Sequence, residues 1–331
     1  MKKQTKIALF LLFLSPAMGE LLSGSAPPLE FFNPAILFML VLLYGCGTLL
    51  IREAKARWGL QWSIIFLAVA YGIIEEGLMV KSFFNPGWQD LDKLSEYGSY
   101  LGVQWVWTIM LTIFHATIST LIPIAITESI WPEYKNVPLL EKRGLKLAFA
   151  GLILITVLGM ILFGTEEDGE ITPYYPHPLL LIFSFAIVLL LIWMAHRWKS
   201  SRISTSNVPI FPPVALVIVG FLFQFLNVLP FALSDNDIPA TTTLIYQGFE
   251  IVFILLFIVY QICHRAMTER HLVSLIFGSI LFFLIFGPIA GFNNGMLAVG
   301  VIGFCLLIWW RRTVLKNTHN GKNSPQDGAI L

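Results

Sequence analysis

The sequence predicts an all-α, polytopic membrane protein whose transmembrane bundle has ten helices, or nine if the first is removed. Hydrophobic residues make up 56% of the 331 residues, charged residues make up 12%, and the mean hydropathy is +0.76. Soluble domains carry about 25% charged residues. Apolar stretches near the roughly 20 residues that cross a bilayer recur along the whole chain. A water-facing globule is therefore excluded.

The predicted spans are apolar segments separated by short polar connections that often contain proline, where helices break. They are residues 7–23, 35–51, 60–80, 105–130, 147–164, 179–196, 214–233, 241–263, 272–291 and 294–310. We expect residues 1–310 to form a single transmembrane domain. Residues 311–331 are polar and contain Gly, Asn and Ser, which predicts a disordered cytoplasmic tail.

The distribution of basic residues predicts the orientation of the chain. With the N-terminus inside, 19 of the 21 Lys and Arg residues fall in inner segments, and only Lys81 and Lys93 lie outside. The outer loops are acidic instead. By the positive-inside rule, both termini are cytoplasmic. We expect a multi-pass protein of the plasma (inner) membrane in contact with lipid.

The N-terminal residues 1–23 have two interpretations. A basic start, an apolar run from Ile7 to Leu14 and the small residues around Ala17 predict a cleaved signal peptide. The same residues predict an uncleaved anchor helix. Both interpretations give the same orientation after Pro34.

The overall charge and the cysteines exclude some classes of function. A net charge of +1 argues against a nucleic-acid partner. Cys46, Cys263 and Cys305 all lie within apolar segments without metal-ligand spacing, which is typical of packing residues. The sequence has no phosphate-binding loop, so nothing indicates an ATP-driven pump.

Glu75, Glu76 and His115 lie inside two consecutive predicted spans, where ionisable groups are costly and usually functional. At about 1.5 Å per residue, Glu75 lies about 22 Å from the inner end of its span and His115 about 15 Å from the outer end of the next. The two levels differ by about one helical turn. The sequence therefore predicts a shared pocket in the outer half of the membrane. Adjacent carboxylates at low dielectric cannot both ionise cheaply, so one is expected to hold a proton.

Other polar residues follow single helix faces and are predicted to extend this pocket. Thr112 and Ser119 share a face with His115, whereas Asn227, Gln247 and Glu250 lie in the second half of the chain. We expect these five residues to line a substrate or ion pathway. The alternatives are ordinary helix–helix hydrogen bonds for the neutral residues, a structural role for His115, and a wetted helix end paired with Lys81 for the two glutamates.

The Glu75-Glu76 pair with His115 in the following span resembles the CAAX-protease and bacteriocin-processing family of intramembrane proteases. That family shows Glu-Glu-x-x-x-Arg, Phe-x-x-x-His and His-x-x-x-Asn. Here Val80 stands at the arginine position, Leu111 stands four before the histidine, and the third motif is absent. The resemblance implies a water-activating role for Glu75 and His115 in peptide hydrolysis. A divalent metal such as zinc is expected only in this case, and no cofactor otherwise.

Three functions are compatible with this pattern. The favoured one is a secondary transporter for a small solute, in which Glu75, Glu76 and Glu250 can couple transport to protons, with His115 as a relay. The second is an intramembrane hydrolase acting on a membrane peptide, and the third is a structural protein with a satisfied polar core. A transporter predicts that Asn227 and Glu250 matter as much as Glu75. A hydrolase predicts that the essential residues lie mostly in the first half.

Overall fold

The computed structural model describes residues 2–167, 170–199, 203–236, 238–290 and 294–319, and these residues form a bundle of long helices. The helices are α1 (Lys3–Pro16), α2 (Pro28–Phe31), α3 (Pro34–Trp58), α4 (Ile64–Ile73), α5 (Trp105–Ile130), α6 (Lys142–Leu162), α7 (Pro178–Arg197), α8 (Pro213–Asp235), α9 (Ala240–Ile262), α10 (Glu269–Ala290) and α11 (Met296–His319). Two short antiparallel hairpins pair β1 (Ser99–Tyr100) with β2 (Val103–Gln104), and β3 (Gly164–Glu167) with β4 (Glu170–Pro173).

Each of the ten predicted segments overlaps a helix. Among the described residues, eight helices are long and apolar enough to cross a membrane: α3 and α5 to α11. The other two, α1 and α4, are continued by π-helical turns at Ala17–Leu21 and Ile74–Met79. Helix placement thus follows the apolar pattern, and the number of complete spans stays a prediction.

The last helix differs from the predicted boundary at residue 310. It continues through the basic residues to His319. Val314 is buried, and the Arg311 guanidinium lies 5.2 Å from the centre of the Phe277 ring, so the extension still packs on α10. The remainder of the predicted tail, residues 320–331, lies outside the described residues.

The first helix is part of the core. Leu11 and Ser15 on α1 are 0% exposed. The Ser15 hydroxyl contacts α3 and α5, donating to the Ser119 carbonyl (2.7 Å) and lying 2.7 Å from Thr48 Oγ1. The first described turns of the chain therefore help to position α3 and α5.

The connection between α4 and α5, residues 80–104, folds into a cap over the predicted outer end of the bundle. Leu91 and Leu94 are 0% exposed in a cluster with Trp107. Lys81 adopts a positive φ of 66° and its ammonium donates to the carbonyls of Met160, Phe163 and Tyr174 at 2.6–3.0 Å. Lys81 thus binds the end of α6 rather than pairing with the glutamates before it.

A buried charge network fixes the predicted inner ends of α3 and α5. Glu53, which is 0% exposed, accepts from Arg57 Nε (3.0 Å) and from the Leu139 backbone N–H (2.6 Å), and Arg52 Nη1 lies 3.3 Å from it. Lys55 Nζ lies 2.5 Å from Glu128 Oε2. We call these charged groups the inner charge network. It ties the loop after α5 to α3.

Candidate functional site

Glu75, Glu76 and His115 meet inside the bundle. Each is at most 7% exposed, and one ligand atom from each lies within 4.8 Å of the others. His115 Nε2 is 2.9 Å from Glu76 Oε1, and Nδ1 is 3.1 Å from Glu75 Oε2. The two glutamates are therefore not a wetted helix end, and the carboxylates flank opposite nitrogens of one imidazole ring.

The contacts of the two carboxylates differ in kind. Glu76 is fixed: the Ser82 hydroxyl donates to its Oε2, and Trp107 Nε1 donates to Ser82 Oγ at 2.9 Å. The Glu75 carboxylate is not held in this way. Its Oε2 lies close to His115 Nδ1 but forms no well-oriented hydrogen bond with a described residue. The hydrogen-bond partner of Nδ1 is Ser119 Oγ at 3.1 Å. Glu76 and Ser119 thus orient the ring, and Glu75 keeps a free oxygen.

Two tyrosines and a third glutamate complete the site, and sequence reasoning missed them. The Tyr44 hydroxyl donates to Glu20 Oε1, and the Tyr44 ring centre is 6.0 Å from that of His115. The Tyr44 and Tyr71 hydroxyls lie beside the Glu75 carboxylate. The Tyr71 hydroxyl has no hydrogen-bond partner among the described residues. The available signals were Tyr44 directly before the small residues Gly45 and Gly47, and Glu20 at the end of an apolar run.

All of the acid and imidazole groups of the site, and Tyr44, lie on π-helical turns. Glu20 lies on the turn after α1, Tyr44 on Val41–Gly45, both central glutamates on Ile74–Met79, and His115 on His115–Leu121. Such turns are rare and occur frequently at functional sites. Four of the five described turns of this kind belong to this one site, which indicates a specialised region of the bundle.

Glycines allow the helices of the site to approach one another. A Cβ on Gly72 of α4 would lie 3.3 Å from His115 Cβ, and one on Gly19 would lie 2.6 Å from the Tyr44 ring. The tightest contact is at Gly47, where a Cβ would lie 2.2 Å from Tyr71 Cε2. The position of Tyr71 therefore depends on the absence of a side chain at residue 47.

We expect Gly47→Ala to cost about 1–3 kcal/mol of stability through overpacking and to displace Tyr71 from Glu75. The matched control is Gly248→Ala in α9, where an added Cβ meets nothing within 4 Å. Alanine gains about 1 kcal/mol of helix propensity at both positions, so the difference between the variants isolates the clash. Thermal unfolding in detergent measures it. Equal unfolding midpoints for the two variants would contradict the packing seen at Tyr71.

Two acidic residues, Asp90 and Glu20, lie on the predicted outer side of the site. Asp90 in the cap is exposed, and the Trp88 indole donates to its Oδ2 at 3.1 Å. Partial desolvation, and then repulsion from Glu76, raise the pKa of Asp90. Glu20 is also partly exposed and lies within electrostatic range of His115. Two acidic side chains with access to solvent thus lie on the predicted outer side of the site.

The arrangement offers groups for proton transfer and also a set of metal ligands. A carboxylate–carboxylate–histidine set can ligate zinc, and these three residues form the one group of this kind found among the described residues. Here each nitrogen faces a different carboxylate, which is the geometry for passing protons through the ring.

The five predicted pathway residues do not all lie together. Ser119 joins the site, whereas Thr112 lines an apolar cavity of about 250 Å³ between α4, α5, α8, α9 and α10. Asn227 and Gln247 donate to the carbonyls of Met110 and Val106, on the outer turns of α5. Glu250 is buried on α9 and has no hydrogen-bond partner among the described residues. The second-half residues therefore form a separate cluster rather than converging on Glu75.

Comparisons with known proteins agree with the helical architecture. No curated protein and no solved structure matches the chain. The resemblance to the CAAX-protease family gains no support from these comparisons. One family model matches residues 9–314, which is most of the chain and includes both polar clusters. The chain is a polytopic membrane protein and belongs to this family, described as an uncharacterized membrane protein family.

Proposed function

We propose that this protein is an intramembrane hydrolase in which Glu75 deprotonates a water molecule. The observation that carries the proposal is that Glu75 Oε2, a buried carboxylate oxygen 3.1 Å from His115 Nδ1, has no hydrogen-bond partner among the described residues, and neither has the buried hydroxyl of Tyr71, four residues before it. A water bound between them would lie next to His115. A carboxylate within hydrogen-bond reach of a water is the arrangement that general-base catalysis requires.

The surrounding residues supply the other steps. As Glu75 takes a proton from the water, negative charge moves onto the substrate carbonyl oxygen, and His115, held by Glu76, stabilises that oxygen. The water oxygen bonds to the substrate carbonyl carbon, and the carbon–nitrogen bond then breaks. Glu20, hydrogen-bonded to Tyr44, is the group that we assign to protonating the leaving nitrogen. The base, its orienting imidazole and the acid thus come from α4, α5 and the turn after α1.

A membrane peptide is the substrate class that this location favours. The site lies between helices, below the predicted outer surface. The apolar cavity beside it is lined by Thr112 and Ala116, which flank His115 on α5. A hydrophobic segment therefore has an apolar surface to follow toward the site. Every residue of the site lies before residue 120, as expected for the hydrolase rather than for the transporter.

Cleavage of quenched fluorescent transmembrane peptides in proteoliposomes tests the proposal. The wild type is expected to cleave members of the set and to place one ¹⁸O atom from labelled water in the new carboxyl group. Glu75→Gln should lower kcat/KM by about 10²–10⁴, the usual contribution of a general base. Glu141→Gln, which removes the charge of an exposed carboxylate, is the control and should cleave at the wild-type rate. Equal cleavage by wild type and Glu75→Gln, or no cleavage by either, would refute the proposal.

A proton-coupled transporter is the second candidate. The acidic approach through Asp90 and Glu20 favours it, because protons from outside could reach His115 by this route. In this case Glu250→Gln should reduce solute uptake as much as Glu75→Gln does. Uptake of a mixed solute library into proteoliposomes with an imposed pH gradient, measured by mass spectrometry, distinguishes it from the hydrolase.

A further inference from the structure

Helix α9 is attached to the bundle by polar side chains. Its buried residues before the final π-helical turn are Thr243, Gln247 and Glu250. The apolar residues Ile245 and Phe249 are instead 63% and 71% exposed, as expected for a face toward lipid. Neutral polar residues often join membrane helices, but a carboxylate at this depth needs compensation.

Gln247 of this stripe and Asn227 of α8 use their N–H donors and leave their oxygens unpartnered, whereas neither polar atom of the Gln224 side chain on α8 has a hydrogen-bond partner among the described residues. Gln247 Nε2 donates to the Val106 carbonyl at 2.9 Å, and Asn227 Nδ2 of α8 donates to the Met110 carbonyl at 3.4 Å. Val106 and Met110 lie one turn apart on α5. The two amide groups are therefore held against the same side of α5, about one helical turn apart.

The remaining oxygens have no hydrogen-bond partner among the described residues. They are Gln224 Oε1, Asn227 Oδ1, Gln247 Oε1, Thr108 Oγ1 and both carboxylate oxygens of Glu250. The three amide side chains are at most 1% exposed, and Glu250 is 7% exposed. Gln224 precedes Asn227 by three residues and Glu250 follows Gln247 by three. Helix α8 runs toward the predicted outer side and α9 runs toward the inner side. Gln224 therefore lies one turn closer to the inner side than Asn227, and Glu250 lies one turn closer to it than Gln247.

We propose that Gln224, Asn227, Gln247 and Glu250 bind a monovalent metal cation, Na⁺, between α5, α8 and α9. Carbonyl and carboxylate oxygens are the ligands of hard cations. One carboxylate among neutral oxygens balances a single positive charge, whereas a divalent ion is usually given more carboxylates. No Lys, Arg or His of the described residues forms an ion pair with Glu250, so a cation would supply the missing charge.

This site is distinct from the Glu75 site and does not depend on the proposed hydrolysis. The Glu75 site is built from α1, α3, α4 and α5, and its imidazole accounts for its charge. The cation site is built from α8 and α9 against the outer turns of α5. Bound Na⁺ would join the second half of the chain to the first.

Two measurements on the purified full chain in detergent test the proposal. The first is thermal unfolding in NaCl and in choline chloride at equal ionic strength. A cation that binds the folded state raises the unfolding midpoint in a saturable way. We expect this NaCl-specific rise in the wild type, its loss in Glu250→Gln, and its retention in the control Glu75→Gln. The second is equilibrium binding of ²²Na⁺, with about one ion bound per wild-type chain.

If Glu250→Gln fails to fold, substitution of one of the uncharged ligand residues provides an independent variant. Gln224→Leu keeps the carboxylate and the size of the side chain, and should weaken ²²Na⁺ binding at least tenfold. The proposal is overturned if the wild type binds no ²²Na⁺ and unfolds at the same midpoint in both salts. It is also overturned if Glu250→Gln and Gln224→Leu bind Na⁺ as the wild type does.

Discussion

Glu53→Ala is expected to lower the free energy of unfolding by about 3–5 kcal/mol, the usual cost of breaking a buried ion pair on one side. The substitution leaves the Leu139 backbone N–H without its acceptor and removes the carboxylate beside Arg52 and Arg57. Arg52 is 1% exposed, so its charge cannot be rehydrated without opening the inner charge network. Unfolding in detergent with increasing sodium dodecyl sulfate measures the loss.

Two variants serve as controls for this prediction. Glu53→Gln keeps an oxygen for the Leu139 N–H and should cost less than Glu53→Ala. Glu141→Ala removes an exposed pair with Lys2, whose side chains are 79% and 75% exposed, and should change stability by at most about 1 kcal/mol. If Glu53→Ala lowered the free energy of unfolding no more than Glu141→Ala does, the inner charge network would contribute little to fixing the loop after α5 to α3.

His115→Ala is expected to reduce hydrolysis by about 10²–10⁴, because it removes the group between the two carboxylates. Residues that act as a unit give non-additive losses. The double variant Glu75→Gln/His115→Ala should therefore be little slower than either single variant. Ser119→Ala, which removes only the hydrogen bond to Nδ1, should cost about tenfold or less.

A structural histidine would give a different result. His115→Ala would then lower the unfolding midpoint while leaving kcat/KM of the folded fraction within a few-fold of wild type. The combined loss in the double variant would also equal the product of the single losses. Steady-state kinetics with the cleavable peptides and unfolding curves on the same preparations separate the two cases.

Much of the helical layout follows from the sequence, because a helix needs roughly 20 apolar residues to cross the bilayer. The contact of Glu75 and Glu76 with His115 also follows from the sequence. Consecutive membrane helices pack against each other, so residues at the same depth on the two helices lie side by side. Glu20 and Tyr44 could not be found in this way. Glu20 lies 55 residues before Glu75, and only tertiary packing of α1 brings it to the site.

Asn227 and Glu250 were expected to converge on Glu75 because the three residues lie at similar depths, and this expectation was wrong. Depth fixes the level of a residue along the membrane normal but not the side of the bundle on which it lies. Helix α5 has room for two polar surfaces, and α8 and α9 pack on its outer turns near Val106 and Met110. The split between the two clusters is a property of helix arrangement rather than of sequence spacing.

The four π-helical turns have a consequence for the length of the chain. Each turn holds about one residue more than an α-helical turn of 3.6 residues, so it acts as a one-residue insertion. Deleting a residue within Ile74–Met79 would restore continuous α-helical hydrogen bonding and keep the residues beyond the turn nearly in phase, but it would change the directions in which the side chains within the turn point. Glu75 and Glu76 would then no longer face His115 together with Tyr71. Members of the family that keep this chemistry should therefore tolerate length changes in the loops but not in these four turns.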